Sequence, residues 1–101
     1  MQITVRTAED TFMTADGVRL FERRWLPEGA PKAALAIVHG YAEHSGRYAY
    51  VGEAFAARGY AVHAVDLRGH GRSDGTRAFV RSFDAYLADL RAFLDRVRAT
   101  T

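Results

Sequence analysis

Two apolar runs constrain this chain more than any other feature. Ala33, Ala34, Leu35, Ala36, Ile37 and Val38 follow one another without alternation, and Tyr60, Ala61, Val62, His63, Ala64 and Val65 nearly repeat the pattern. A strand with one wet face alternates polar and apolar residues. A continuous run predicts a strand covered on both faces, as in a parallel sheet. Parallel neighbours need a crossover, and the interval between the runs suits a helix. Ser45 is a candidate cap for that helix. It is predicted over about residues 47–58, with Tyr48, Val51 and Phe55 on one stripe and Gly59 as its stop. The two runs and their helix predict a β-α-β unit.

What precedes the unit reads as antiparallel. Residues 11–15 lead into Asp16-Gly17, a tight-hairpin signal of the type I′ kind, in which both central residues take positive φ. Residues 18–26 return as a strand carrying Phe21 and Trp25, ended by Pro27 and a loop over 28–31. After the second apolar run comes a loop with Gly69, Gly71 and Gly75. A last helix of about four turns then begins at Ser82, with Phe83, Tyr86, Leu87, Leu90, Leu94 and Val97 as its apolar face. A β-α-β-α series ending on such a helix calls for a further strand. The expected fold class is therefore α/β: an antiparallel hairpin leading into a parallel β-α-β-α unit with an incomplete sheet, the front of a larger domain.

Composition narrows the function classes. The absence of cysteine removes disulfides, thiolate nucleophiles and cysteine-based metal sites. The formal charge is +2, and all but one of the 14 cations are arginines spread along the chain, which argues against nucleic acid as a partner. No stretch reaches the roughly 18 apolar residues of a membrane span, and the first residues lack a signal-peptide run, so a cytoplasmic location is expected. In the last helix Arg91, Arg96 and Arg98 alternate with Asp84, Asp89 and Asp95, the pattern of a solvated face.

In open α/β sheets ligands sit beyond the carboxyl ends of the parallel strands, which singles out two loops, 39–48 and 66–75. In the first, Gly40 lets the backbone turn sharply, so that the N–H of Tyr41 is placed to stabilise a developing oxyanion; a plain strand-ending turn is the competing reading. In the second, Gly71-Arg72-Ser73-Asp74-Gly75 satisfies the nucleophile pattern G-x-S-x-G. Its setting is wrong: four residues separate the strand from Gly71, the helix starts near Ser82, and no histidine follows His70. Gly69-His70-Gly71 opens like a dinucleotide fingerprint, but Asp74 stands where its third glycine belongs. His63, Asp66 and His70 have ligand-like spacing. His63 falls inside a buried strand, however, and the other two are better placed to tie down the glycine-rich loop, so no metal is expected.

Residues 39–48 closely resemble the H-G-x-x-E-H-S-x-R-Y stretch of the monoacylglycerol lipase and lysophospholipase-like α/β-hydrolases. Residues 66–75 resemble their D-x-R-G-H-G-x-S-x-G loop, and 83–90 resemble the helix that follows. The resemblance implies a serine carboxylester hydrolase that cleaves monoacylglycerol-like or lysophospholipid-like esters through an acyl-enzyme, with no cofactor and with peripheral lipid contact compatible. By position Tyr41 gives one oxyanion N–H, Gly40 sets the loop, and Glu43 and Arg47 lie near the alcohol end of the substrate. A local Glu43–Arg47 salt bridge is the alternative for that pair. The family's domain is more than twice this long, and its nucleophile elbow, acid and histidine would all lie beyond Thr101. Residues 1–101 are thus expected to be the N-terminal portion of one domain, inactive alone and needing the remainder of the hydrolase domain. A dehalogenase or epoxide hydrolase with an aspartate nucleophile, or a non-catalytic fragment, are the other readings.

Overall fold

A computed structural model describes residues 3–41 and 43–100; Ala42, within the first motif, lies outside the described residues. Strands β1 (Val5–Met13), β2 (Arg19–Pro27), β3 (Ala34–Val38) and β4 (Ala61–Asp66) form one sheet in the order β1-β2-β4-β3. The β1–β2 and β2–β4 pairs are antiparallel and β3–β4 is parallel, with Leu35 opposite Val62 and Val38 opposite Val65. A 3₁₀ turn (Ser45–Tyr48) runs into α1 (Ala49–Ala56), which crosses from β3 to β4, and α2 (Phe83–Thr100) follows the glycine-rich loop.

The period-two alternation of the strands divides the apolar residues between two cores. Val62, Ala64 and Trp25 pack with Ala56 of α1, whereas Leu20 and Val65 pack with Phe93 and Val97 of α2. The two helices thus pack on opposite faces, and every residue of β4 is buried. The α/β class expected from the sequence is the one observed.

Several local expectations are corrected. The hairpin is not a two-residue type I′ turn, because Gly17 (φ 84°) is left-handed and Asp16 is not. Thr14 instead accepts the Gly17 N–H on its carbonyl (3.0 Å), and its hydroxyl takes the Val18 N–H (3.0 Å), so a five-residue link joins the strands, of which the first begins earlier than the sequence suggested. The first apolar run is not covered on both faces: β3, paired with β4 at the sheet edge, alternates between exposed and half-buried residues.

In α1 the packed stripe is Gly52 and Ala56, not Tyr48, Val51 and Phe55; Phe55 is exposed. Trp25 explains the difference, since a Cβ at Gly52 would lie 2.3 Å from its indole ring, so only the smallest residue fits where the helix crosses β2. In α2 the buried positions are Asp89, Phe93 and Val97, while Phe83 and Leu87 stand exposed.

The charged face predicted for α2 is solvated in part: Asp84, Arg91, Asp95 and Arg98 are exposed, whereas Asp89 and Arg96 are drawn into the fold. Asp89 is fully buried, gripped by the Arg68 guanidinium at 2.7 Å and by the Arg68 N–H at 3.0 Å, and the same guanidinium reaches Asp16 in the hairpin at 2.8 Å. Arg96 reaches Glu22 on β2 (2.8 Å) and Asp10 on β1. Burial would raise the Glu22 carboxyl, but hydrogen bonds from His63, Arg96 and Arg24 outweigh it and hold it at about 2.

Candidate active site at the ends of the parallel strands

The chain leaves β3 through His39, which is buried. Its Nε2 accepts the Leu67 N–H at 2.9 Å, so that nitrogen carries no proton, and Nδ1–H donates to the Gly40 carbonyl at 2.6 Å. One neutral imidazole thereby ties the loop after β3 to the loop after β4. Burial pushes the His39 pKa down, which favours this neutral form.

Glu43 grips the same glycine from the other side. Its Oε1 accepts the Gly40 N–H (2.8 Å) and the Tyr48 hydroxyl (2.7 Å), while its own N–H donates to the Gly40 carbonyl (3.2 Å). The Tyr48 hydroxyl, with the Gly40 N–H next, holds the Glu43 carboxyl below its usual range, and the same bond raises the Tyr48 phenol. Gly40 is not in the left-handed region, so positive φ is not the reason for glycine here. A Cβ would come within 3.3 Å of the Glu43 carboxylate, and its absence leaves room for that approach.

A trans peptide places its C=O and N–H on opposite sides of one plane. With the Gly40 carbonyl drawn toward His39 and the Glu43 N–H, the N–H of Tyr41 is turned the other way, and it makes no hydrogen bond among the described residues. The Tyr41 side chain reaches across to the other loop. Its hydroxyl donates to the Ala78 carbonyl (2.7 Å) and its ring meets His70 edge-on at 5.6 Å.

The second loop is fastened by Asp66, whose carboxylate takes the Ser45 N–H (2.6 Å) and the Arg72 N–H (3.0 Å). Gly71 (φ 50°) lies so close that a Cβ would stand 2.4 Å from the Asp66 Oδ2, so both its conformation and its surroundings require glycine. Ser73 is buried, and its hydroxyl accepts the Phe21 N–H at 2.7 Å and donates to the Asp66 carbonyl.

Of the residues singled out in the sequence, Gly40, Tyr41 and Glu43 come together. Arg47 is exposed on the 3₁₀ turn, and no Glu43–Arg47 ion pair forms among the described residues. His63, Asp66 and His70 do not converge. His63 faces Glu22 (3.7 Å), Asp66 holds backbone N–H groups, and the His70 Nδ1 meets the Arg68 carbonyl at 3.0 Å. Among the described residues no cluster of His, Asp or Glu is arranged to hold a metal ion.

Sequence reasoning missed the bracing roles of His39 and Tyr48. The signal for His39, a polar residue ending an apolar run beside a glycine, was present; that for Tyr48 was not. Two open clefts of about 610 and 660 Å³ flank α2, one beside Arg68 and Phe79 and the other beside Met13 and Leu87, and neither includes Gly40 or Tyr41. The orientation of the Tyr41 N–H at the strand ends is the stronger pointer to chemistry.

Residues 29–101 match the family model described as serine aminopeptidase, S33. The chain belongs to this family of α/β-hydrolases. Among curated relatives, this S33 chain is similar to the monoacylglycerol lipase of Mycolicibacterium smegmatis, 40% identical over 86% of the chain and 31% of the relative. It is also similar to the human monoglyceride lipase, 38% identical over 85% of the chain and 28% of the relative. Caffeoylshikimate esterase of Arabidopsis thaliana is 37% identical over 95% of the chain and 29% of that protein. The chain therefore spans about a third of the length of the curated relatives it matches.

Among solved structures, a lipase in its open form superposes with a TM-score of 0.79 at 26% identity, over 94% of this chain and 33% of that one. The carboxyl esterase of Bacillus coagulans superposes equally well, with a TM-score of 0.79 at 24% identity over 95% of this chain and 33% of that one, and shares the fold. The S33 chain is thus part of a lipase- and esterase-like group of serine-type α/β-hydrolases. No helix among the described residues is long and apolar enough to cross a membrane.

Proposed function

We propose that this chain is the N-terminal portion of a serine carboxylester hydrolase domain, acting on monoacylglycerol-like or lysophospholipid-like esters, and that it supplies one half of the oxyanion hole. The observation that carries the reading is the Tyr41 N–H, turned away from a carbonyl that His39 and Glu43 both hold. The names of the similar lipases and esterases support the substrate class.

In the reaction a serine Oγ bonds to the ester carbonyl carbon while a histidine takes its proton. The carbonyl oxygen becomes an oxyanion facing the Tyr41 N–H and a second donor, and the alcohol leaves with the proton from the histidine. Water then cleaves the acyl-enzyme by the same steps. The resemblance assigns Glu43 and Arg47 to the alcohol end of the substrate; the Glu43 Oε1 is itself engaged by Gly40 and Tyr48, which leaves Arg47 as the freer of the two for that contact. The serine, the acid and the histidine belong to the remainder of the domain. Ser73 is unsuited to the part, because its hydroxyl is buried and engaged by Phe21 and Asp66.

The test is fluorophosphonate labelling together with monoacylglycerol hydrolysis, on residues 1–101 and on the protein from its full reading frame. The short chain is expected to be unlabelled and inactive, and the full protein labelled and active. Tyr41→Pro removes the donor and is expected to cost the full protein roughly 10²–10³ in kcat, with folding checked by circular dichroism. Tyr41→Phe keeps the N–H and is expected to cost far less. Turnover by the short chain that disappears in Ser73→Ala would overturn the reading, as would a full protein that opens epoxides or releases halide but cleaves no ester.

A further inference from the structure

We infer that Glu43 is a positioning residue for the oxyanion donor, acting through Gly40 on the Tyr41 N–H, and that its effect on the rate does not depend on the alcohol of the substrate. The inference rests on the reading of Tyr41 given above. Three hydrogen bonds carry it. Glu43 Oε1 takes the Gly40 N–H at 2.8 Å, the Glu43 N–H reaches the Gly40 carbonyl at 3.2 Å, and the Tyr48 hydroxyl, 2.7 Å from the same Oε1, keeps the carboxylate in place.

The Gly40 N–H and C=O belong to the two peptide units on either side of one Cα, so a residue that holds both fixes the φ and ψ between them. The second unit carries the Tyr41 N–H, and its direction follows from planarity. Without the carboxylate the Gly40 N–H is released, and glycine regains freedom on that side of the joint. Oxyanion donors must be aimed before the reaction begins, and a misplacement of about 1 Å costs about 10²-fold. In Glu43→Ala the Gly40 carbonyl keeps the His39 Nδ1–H at 2.6 Å and the residue 43 N–H at 3.2 Å, which retain part of the alignment, so the loss stays below that of deleting the donor.

A carboxylate that only bound the substrate alcohol would act on KM, and only for esters whose alcohol it touches. The test uses the protein from its full reading frame with two substrates, a monoacylglycerol and a p-nitrophenyl ester that has no glycerol. Glu43→Ala is expected to lower kcat roughly 10–100-fold on both, with KM within about twofold. Glu43→Gln, whose amide oxygen still accepts from Gly40 and Tyr48, restores most of kcat. Tyr48→Phe, a milder change that serves if Glu43→Ala does not fold, gives a smaller kcat loss of the same kind on both substrates.

Hydrogen exchange by NMR supplies a second readout. The Gly40 amide is protected in the wild type and in Glu43→Gln, and exchanges about tenfold faster or more in Glu43→Ala. A loss confined to KM for the glycerol ester, or a Gly40 amide equally protected in Glu43→Ala, overturns the inference. A wild type with no esterase activity overturns the ester-hydrolase reading instead, while the exchange pattern still supports or overturns the hold on Gly40.

Discussion

His39 shows how much one imidazole does at the end of β3. It is buried, and it serves as acceptor to Leu67 and donor to Gly40 at once, which only the neutral ring can do. A protonated ring would set an N–H against the Leu67 N–H. Because burial depresses the folded-state pKa below the ordinary 6.5, the unfolded chain binds the proton first as pH falls. The contribution of His39 to stability is therefore complete above about 6.5 and is lost as pH drops from there through the folded value. Urea unfolding of wild type and His39→Asn at pH 7.5, 6.5 and 5.5 is expected to give a stability difference that shrinks toward the acid side. A difference that grew would contradict the sign.

At the scale of elements, each helix is seated by a residue that hydrophobicity does not flag. For α1 it is Gly52 against Trp25, where a Cβ would come within 2.3 Å of the ring. Helix propensity favours Gly52→Ala by about 1 kcal/mol, but the added methyl overpacks a buried contact, which costs about 1–3 kcal/mol. The clash is with rigid ring atoms, so the substitution is expected to lower stability, read as a reduced urea midpoint at unchanged m. A raised midpoint would mean that α1 does not cross β2 at this point. For α2 the seat is Asp89, held by Arg68. The alternation of charge along this helix was legible in the sequence, but no local pattern reveals that one carboxylate of the series is met by an arginine 21 residues earlier.

For the whole molecule, the edge position of β3 is the dominant physical fact. Among the described residues its outer side has no strand partner, and Val38 is exposed beside it. An apolar edge without charge or proline recruits other chains. Residues 1–101 alone are therefore expected to self-associate at low micromolar concentration, seen as an excess mass by size-exclusion chromatography with light scattering. Ala36→Lys, at an exposed position of β3, is expected to return the mass toward that of a monomer. A wild-type chain that is monomeric under these conditions would count against the edge as an association surface.

Much of the architecture was legible without coordinates. The sequence by itself determined the order of elements, the parallel β3–β4 pair and its crossover, and the two loops at the strand ends, because apolar runs, turn residues and motif spacing are local properties. Tertiary structure decided the rest. It left the faces of β3 half-exposed, chose Gly52 and Ala56 over the larger apolar residues of α1, buried Asp89, and held the Gly40 carbonyl on His39 and Glu43, on the opposite side of its peptide from the Tyr41 N–H. Those outcomes depend on which distant side chain arrives opposite each position, such as Trp25 on Gly52, Arg68 on Asp89 and Leu67 on His39, and a contact between residues far apart in the chain leaves no periodicity behind.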